Sequence, residues 1–277
     1  PFKKIEISFL KNLGNIGLTI MTLFGFSSYM NLIGANEVTV DIMTKPLGKI
    51  KSKYVIVPVI FLLGNLLSLV VPSASSLAVL LMATLYPVLT KVGVTPLTAG
   101  AVIATTATIM PTPLGADNVL AAETFGMNIM DYVIAHAKVS IPSLIIMAVA
   151  HYFWQKHLDK KQSLSNEVKI DESKLAKLND NLPPKYYAIL PILPLILVLF
   201  FNIFMKEVQI GLVSIAFISL IVAVILELIR KKDFVKVSND INEFFKGMGS
   251  GLAMVVSLLV AASLLVDGLK ALGVVDM

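Results

Sequence analysis

Cysteine is absent from this sequence, which excludes disulfides, iron–sulfur ligation and thiol catalysis. Histidine occurs only three times, and neither H-E-x-x-H nor G-x-S-x-G is present. Metalloprotease and serine-hydrolase readings therefore lack their residues, and no nucleophile–base pair points to an enzyme. Charge is scarce too: 15% of residues are Asp, Glu, Lys or Arg, against about 25% in soluble domains. Apolar residues take the place of charge, at 56% of the 277 positions. An integral membrane protein follows. The net charge of +5 does not imply a nucleic-acid partner, because the lysines lie in short loops between apolar runs.

A membrane-crossing helix needs about 20 mostly apolar residues. Uncharged runs of that order are Asn12–Asn36, Tyr54–Thr90, Val92–Ala116, Tyr186–Met205, Val208–Leu226 and Gly247–Val266. Tyr132–Ala150 also qualifies, although it contains His136 and Lys138. Lysine and arginine mark the cytoplasmic side, so Lys45–Lys53, Gln155–Lys185 and Arg230–Lys246 are assigned inside. The crossings between them come out even if Tyr54–Thr90 enters and returns, Val92–Glu123 goes out, Met130–Trp154 comes back, and Tyr186–Met205 and Val208–Glu227 form an outward and returning pair.

A shift of 234 positions lays Glu6–Met43 on Asp240–Met277 without gaps. Ile7/Ile241, Gly17/Gly251, Leu18/Leu252, Gly34/Gly268, Val40/Val274 and Met43/Met277 are identical. The first copy's helix runs inward and the second's outward, the pattern of an inverted-topology repeat. The alternative is chance similarity between apolar helices. The expected fold is an all-α polytopic membrane protein, an inverted-repeat secondary transporter with a re-entrant hairpin and a broken helix. Its divisions are 1–154, the first repeat; 155–185, a cytoplasmic linker; 186–230, two transmembrane helices; and 231–277, the start of a second repeat. Because the chain starts at Pro1 and stops within an apolar pattern at Gly273–Met277, we expect a segment of a longer protein, with its second repeat truncated.

Two polar interruptions are the candidate site. Pro72–Ser76 (PSASS) breaks the run Tyr54–Thr90, and Thr105–Asn118 places Pro111, Pro113, Gly115 and Asp117 where a span should continue. Unpaired polar groups are costly in hydrocarbon, so such breaks persist only where protein or a water-filled cavity satisfies them. A broken helix offers free N–H groups to a carboxylate at one end and free carbonyls to a cation at the other. Ser73, Ala74, Ser75, Ser76, Thr112 and Gly115 are the candidate substrate contacts. Asp117, Thr112 and Asn118 are the candidates for ion coupling, with Na⁺ or H⁺ as the ion and no cofactor or metal site. The alternatives stay open: the serines as no more than caps of a buried helix, and Asp117 as a cap of its outer half. Asn65 is expected to bond between the hairpin arms, His151, Trp154 and His157 to anchor at the interface, and Glu227 with Arg230 to form a local ion pair.

The stretches GFSSYMNLIGANEVTVDIMTKPL, PSASSLAVLLMATLYPVL, PTPLGADNVLAAE and AVAHYFWQKHLDKK, in this order and spacing, resemble the DcuC family of anaerobic C4-dicarboxylate carriers within the ion-transporter superfamily. The resemblance implies a multi-pass carrier of the bacterial inner membrane. It would move fumarate, succinate or malate by ion-coupled uptake, exchange or efflux, as a homodimer in the lipid bilayer. Better understood superfamily relatives carry Ser-Asn-Thr at paired hairpin tips. Here the tip is Ser73-Ala74-Ser75, and Ala74 stands where they have the amide side chain. The alternative functions are a Na⁺/H⁺ antiporter of the same superfamily and a non-transporting membrane scaffold.

Overall fold

Backbone groups in hydrocarbon must pair within their own segment, and the apolar runs become helix apart from the breaks. The computed structural model describes residues 2–50, 52–71, 73–107, 110–162, 181–205, 207–208 and 210–274, and the side chains of Phe2 and Asn15 are not included. Among these residues there is no strand. Pro72, most of the expected linker and Met277 of the repeat comparison lie outside the described residues.

A first rod combines α1 (Phe2–Asn12), a π turn (Leu13–Gly17) and α2 (Leu18–Leu32). Gly34, at φ 76°, adopts the left-handed conformation that a side chain resists. There the chain bends by 73° into α3 (Ala35–Thr44) and the 3₁₀ turn Lys45–Lys49. α4 (Ile56–Ser68) and α5 (Ala74–Lys91) form the hairpin. At 13 residues, α4 reaches about 20 Å, too short for the roughly 30 Å hydrocarbon core. The broken span consists of α6 (Pro96–Ala104) and α7 (Ala116–Thr124), with Ala107 between them in the left-handed region at φ 63°. α8 (Ile129–Gln162) is continuous over 34 residues, so 155–162 are helical and not linker. After the 3₁₀ turn Lys185–Ile189 come α9 (Leu193–Phe204), α10 (Leu212–Lys231) and α11 (Phe234–Asp240). A second rod follows, made of α12 (Asn242–Gly251), a π turn (Leu252–Val256) and α13 (Ser257–Ala271). Ala74–Lys91, Ile129–Lys161, Leu212–Lys231 and Phe234–Ala271 are long and apolar enough to cross a membrane, and the bent pair at Gly34 makes a fifth candidate.

Three apolar clusters result among the described residues, the smallest being Leu23 with Leu114 and Val119, which joins the first rod to the broken span. The hairpin packs with α6 and α8 through Phe61, Leu81, Leu85, Val102 and Leu144. The first rod packs with α10, α12 and Tyr187 through Phe26, Tyr29, Leu220 and Phe244. Lipid supplies no hydrophobic drive between helices, so close packing of small residues has to supply the attraction. The rods run antiparallel, and a Cβ on Gly25 would lie 2.6 Å from the Phe244 carbonyl oxygen. One on Gly247 would lie 2.7 Å from the Phe24 carbonyl oxygen. Only glycine permits this approach.

The rods cross beside the equivalent glycines of the repeat: Gly17 faces Val256, and Gly251 faces Met21. The copies differ at Gly34 and Gly268, since Gly34 bends the chain and Gly268 lies inside α13.

Chain ends meet as the loop charges anticipate. Lys53, before α4, ion-pairs with Asp159 near the end of α8 at 3.1 Å. Thr95, the cap of α6, donates to the same carboxylate at 2.8 Å. The starts of α4 and α6 and the end of α8 therefore share one end of the bundle. Glu227 is fully buried and holds Arg230 at 2.6 Å and Lys231 at 2.8 Å, and Lys231 also reaches Asp240 at 2.9 Å. The expected pair is thus part of a network that ties α10 to α11. Asn65 corrects another expectation: its amide donates to the Phe61 carbonyl on its own helix at 2.8 Å, not across the hairpin. The amide follows the helix's own i−4 geometry, so it back-bonds within α4.

Candidate functional site

The two interruptions converge. They border one cavity of about 530 Å³, with Ser73 and Ser76 on the hairpin side and Leu114, Ala116 and Asp117 on the broken-span side. The first rod completes the wall with Ser27, Ser28 and Asn31, and the second rod with Ser250 and Met254. A wider cavity of about 950 Å³ shares Leu120 with it and continues along α1, α7 and α13, where Lys4, Lys11, Glu123 and Asp267 are found.

Local sequence explains each wall. Ser73 has extended backbone and caps α5, and its hydroxyl oxygen accepts from the Ser76 N–H at 3.3 Å. The same hydroxyl lies 3.1 Å from Ser76 Oγ and 3.2 Å from Ser75 Oγ. Asn31 extends the polar ribbon by donating to Ser76 Oγ at 3.4 Å while accepting from Asn36 at 2.5 Å. At the other break, Gly115 precedes α7 and provides no side-chain cap. The first N–H groups of α7 are therefore not taken by a side chain at that cap. Two helix starts, each with the positive end of its macrodipole, face one cavity.

The second break is closed by its own polar residues. Asn118 is buried and donates to the carbonyls of Met110 at 2.7 Å and Thr112 at 3.0 Å. Thr112, also buried, donates to the Leu69 carbonyl at 3.1 Å and accepts from the Leu114 N–H at 3.3 Å. That bond ties the break to the hairpin tip. A Cβ at Gly115 would lie 2.6 Å from Asp117 Oδ1, so a side chain there requires that carboxylate to move.

Of the candidates from sequence, Ser73, Ser76 and Asp117 line the cavity. Ala74 and Ser75 are exposed on the first turn of α5, and Thr112, Gly115 and Asn118 are buried behind the wall. Ser27, Ser28, Asn31 and Ser250 were not picked out as site residues. Their signal was the spacing of Ser27 and Asn31, four apart on one face of an otherwise apolar helix.

A family model described as "C4-dicarboxylate anaerobic carrier", DcuC, matches residues 1–277. The chain belongs to the DcuC family. An "Anaerobic C4-dicarboxylate transporter DcuC" from Escherichia coli K12 is 38% identical over 273 residues, 98% of this chain and 58% of that protein. The same-named protein of Escherichia coli O6:H1 is 39% identical over 273 residues, with the same coverage. A relative from Vibrio cholerae serotype O1 is 39% identical over 266 residues, 95% of this chain and 57% of its own length. The chain thus spans less than two thirds of these DcuC relatives. No solved structure matches it. This membership agrees with a multi-pass α-helical membrane protein, and the relatives named here are transporters.

Proposed function

We propose that the protein is a secondary carrier for C4-dicarboxylates of the bacterial inner membrane, working by alternating access. The observation that carries this reading is the meeting of two helix starts and several hydroxyls at one cavity whose lining has Asp117 as its one charged residue. A dicarboxylate needs donors at both ends. The start of α5, with Ser73 and Ser76, faces one carboxylate, and the start of α7 faces the other or a bound cation. A C4 diacid occupies about 100 Å³, so the cavity of about 530 Å³ holds it with several waters.

The Thr112 hydroxyl and the Asn118 NH₂ are committed to the backbone, and Asp117 is the acid at the cavity able to take Na⁺ or a proton. Our reading includes a homodimer, and crosslinking in membranes tests it. The function is tested with the full-length protein in proteoliposomes. Labelled succinate is expected to exchange against unlabelled succinate, fumarate or malate. Cation movement without any diacid exchange would favour the antiporter reading.

A further inference from the structure

We propose that Ser27 is a substrate-contacting residue that reads the C2 position of a bound C4 diacid, so that the cavity favours a 2-hydroxy diacid. This rests on the carrier reading and adds to it a specificity-determining residue outside both breaks. Ser27 belongs to α2, lines the cavity of about 530 Å³ and is 6% exposed. Its hydroxyl oxygen is shielded from solvent and has no hydrogen-bond partner. Among the described residues of that wall, no other has a fully buried side-chain polar atom left unpaired.

A serine within a helix commonly returns its hydroxyl to the carbonyl four residues back. Ser140 and Ser143 on α8, Ser219 on α10 and Ser250 on α12 all do so. Ser27 does not. An unpaired buried hydroxyl is a cost to the empty protein that a ligand can remove.

Helical register places this hydroxyl. Leu23, Ser27 and Asn31 are four residues apart and form one stripe along α2. Both ends of the stripe have partners. Asn31 donates to Ser76 Oγ at 3.4 Å, in the first turn of α5. Leu23 packs with Leu114 and Val119, on either side of the start of α7. Ser27 therefore stands midway between the two helix starts. Ser28, one residue on, turns instead to the second rod, where a Cβ on Gly247 would lie 2.5 Å from its Oγ.

The spacing matches the ligand. Eight residues of helix, from Leu23 to Asn31, rise about 12 Å. An extended C4 diacid with a hydrogen bond at each end spans about 11 Å. With one carboxylate at the start of α5 and the other at the start of α7, the two middle carbons face Ser27. Those carbons are where C4 diacids differ: succinate carries only hydrogens there, and malate carries a hydroxyl at C2. On binding, the Ser27 hydroxyl turns about its single side-chain torsion and pairs with the ligand hydroxyl, each group being able to donate and to accept.

The test uses the full-length protein in proteoliposomes, with unlabelled diacids competing against counterflow of labelled succinate. Succinate, malate and 2-methylsuccinate, which has a methyl where malate has its hydroxyl, isolate the C2 group. Against wild type, malate is expected to compete about fivefold better than 2-methylsuccinate. Ser27→Ala is expected to weaken malate by about tenfold and to change succinate by less than about twofold. The empty variant should unfold at the wild-type temperature or above it, whereas loss of a merely structural hydroxyl would lower it. A malate-to-succinate ratio equal in wild type and variant overturns the proposal. So does an equal loss for both diacids, which would put Ser27 on a carboxylate or a cation. If Ser27→Ala shows no counterflow, thermal unfolding of wild type in detergent decides. Malate must raise the midpoint more than 2-methylsuccinate does, and equal shifts overturn the proposal. No counterflow by wild type sinks the carrier reading. The C2 contact is then upheld by a larger thermal shift with malate that Ser27→Ala abolishes, and overturned without one.

Discussion

At the hairpin tip, Ser73 and Ser76 bond chiefly to each other and remain open to the cavity. At the second break, Thr112 and Asn118 are turned away from the cavity and bind the carbonyls of Leu69, Met110 and Thr112 itself. Both regions interrupt an apolar run with proline and small polar residues, but the first presents its donors and the second consumes them. The difference follows from what each must satisfy. A hairpin tip of a few residues frees few backbone groups, and one serine cap covers its helix start. The longer break from Thr105 to Gly115 frees many carbonyls in a water-poor setting, and each left unpaired costs about 1–3 kcal/mol.

The largest expected effect tests that second role. Asn118→Leu leaves the Met110 and Thr112 carbonyls without their donor, a loss of about 2–5 kcal/mol for the two together. Thermal unfolding in detergent should show it, with transport lost along with the fold. A variant as stable as wild type would mean that the break is not held by this amide. Thr112→Val comes next. It removes the bond to the Leu69 carbonyl, costing about 1–2 kcal/mol, and Thr112→Ser should restore most of it. Because this bond joins the break to the hairpin, Thr112→Val is also expected to raise the KM for succinate.

Much of this contrast was legible in the sequence, and the rest was hidden for physical reasons. Pro, Ser and Asp within uncharged runs stand out because hydrocarbon tolerates them only with a purpose, so both breaks could be located from composition alone. What those runs do not reveal is direction. Asn118 follows Asp117 by one residue and lies about 100° further around the helix, which puts one toward the cavity and the other behind it. Ser27, Ser28 and Asn31 were hidden because small polar residues are common in membrane helices and usually bond to their own backbone. His151 was misread from its neighbours: Trp154 and His157 face outward, whereas the spacing to Gln155 and Asp159 marks the inner face. The long-range pairing of the rods rests on Gly25 and Gly247, and glycine alone does not name its partner.

At the hairpin tip the order of effects is expected to reverse, with function changing more than stability. Ser73→Ala removes the cap of α5 at a cost of about 1 kcal/mol. It also removes a hydroxyl from the cavity wall, so the KM for succinate should rise by about tenfold, the worth of a charge-assisted bond. Ser73→Gly should recover most of the stability and none of the affinity. Equal losses of affinity in Ser73→Ala and Ser75→Ala would erase the distinction, because Ser75 is exposed outside the cavity wall.

The smallest expected change in stability is at Asp117, which is exposed on the first turn of α7. Asp117→Asn forfeits a favourable charge at a helix start, about 0.3–1 kcal/mol, and leaves the packing of the break intact. If the cavity cation sits on Asp117, the amide stands in for the neutralised carboxylate. Exchange should then persist while its dependence on external cation flattens. A cation dependence identical to wild type would leave Asp117 with only the helix start to stabilise.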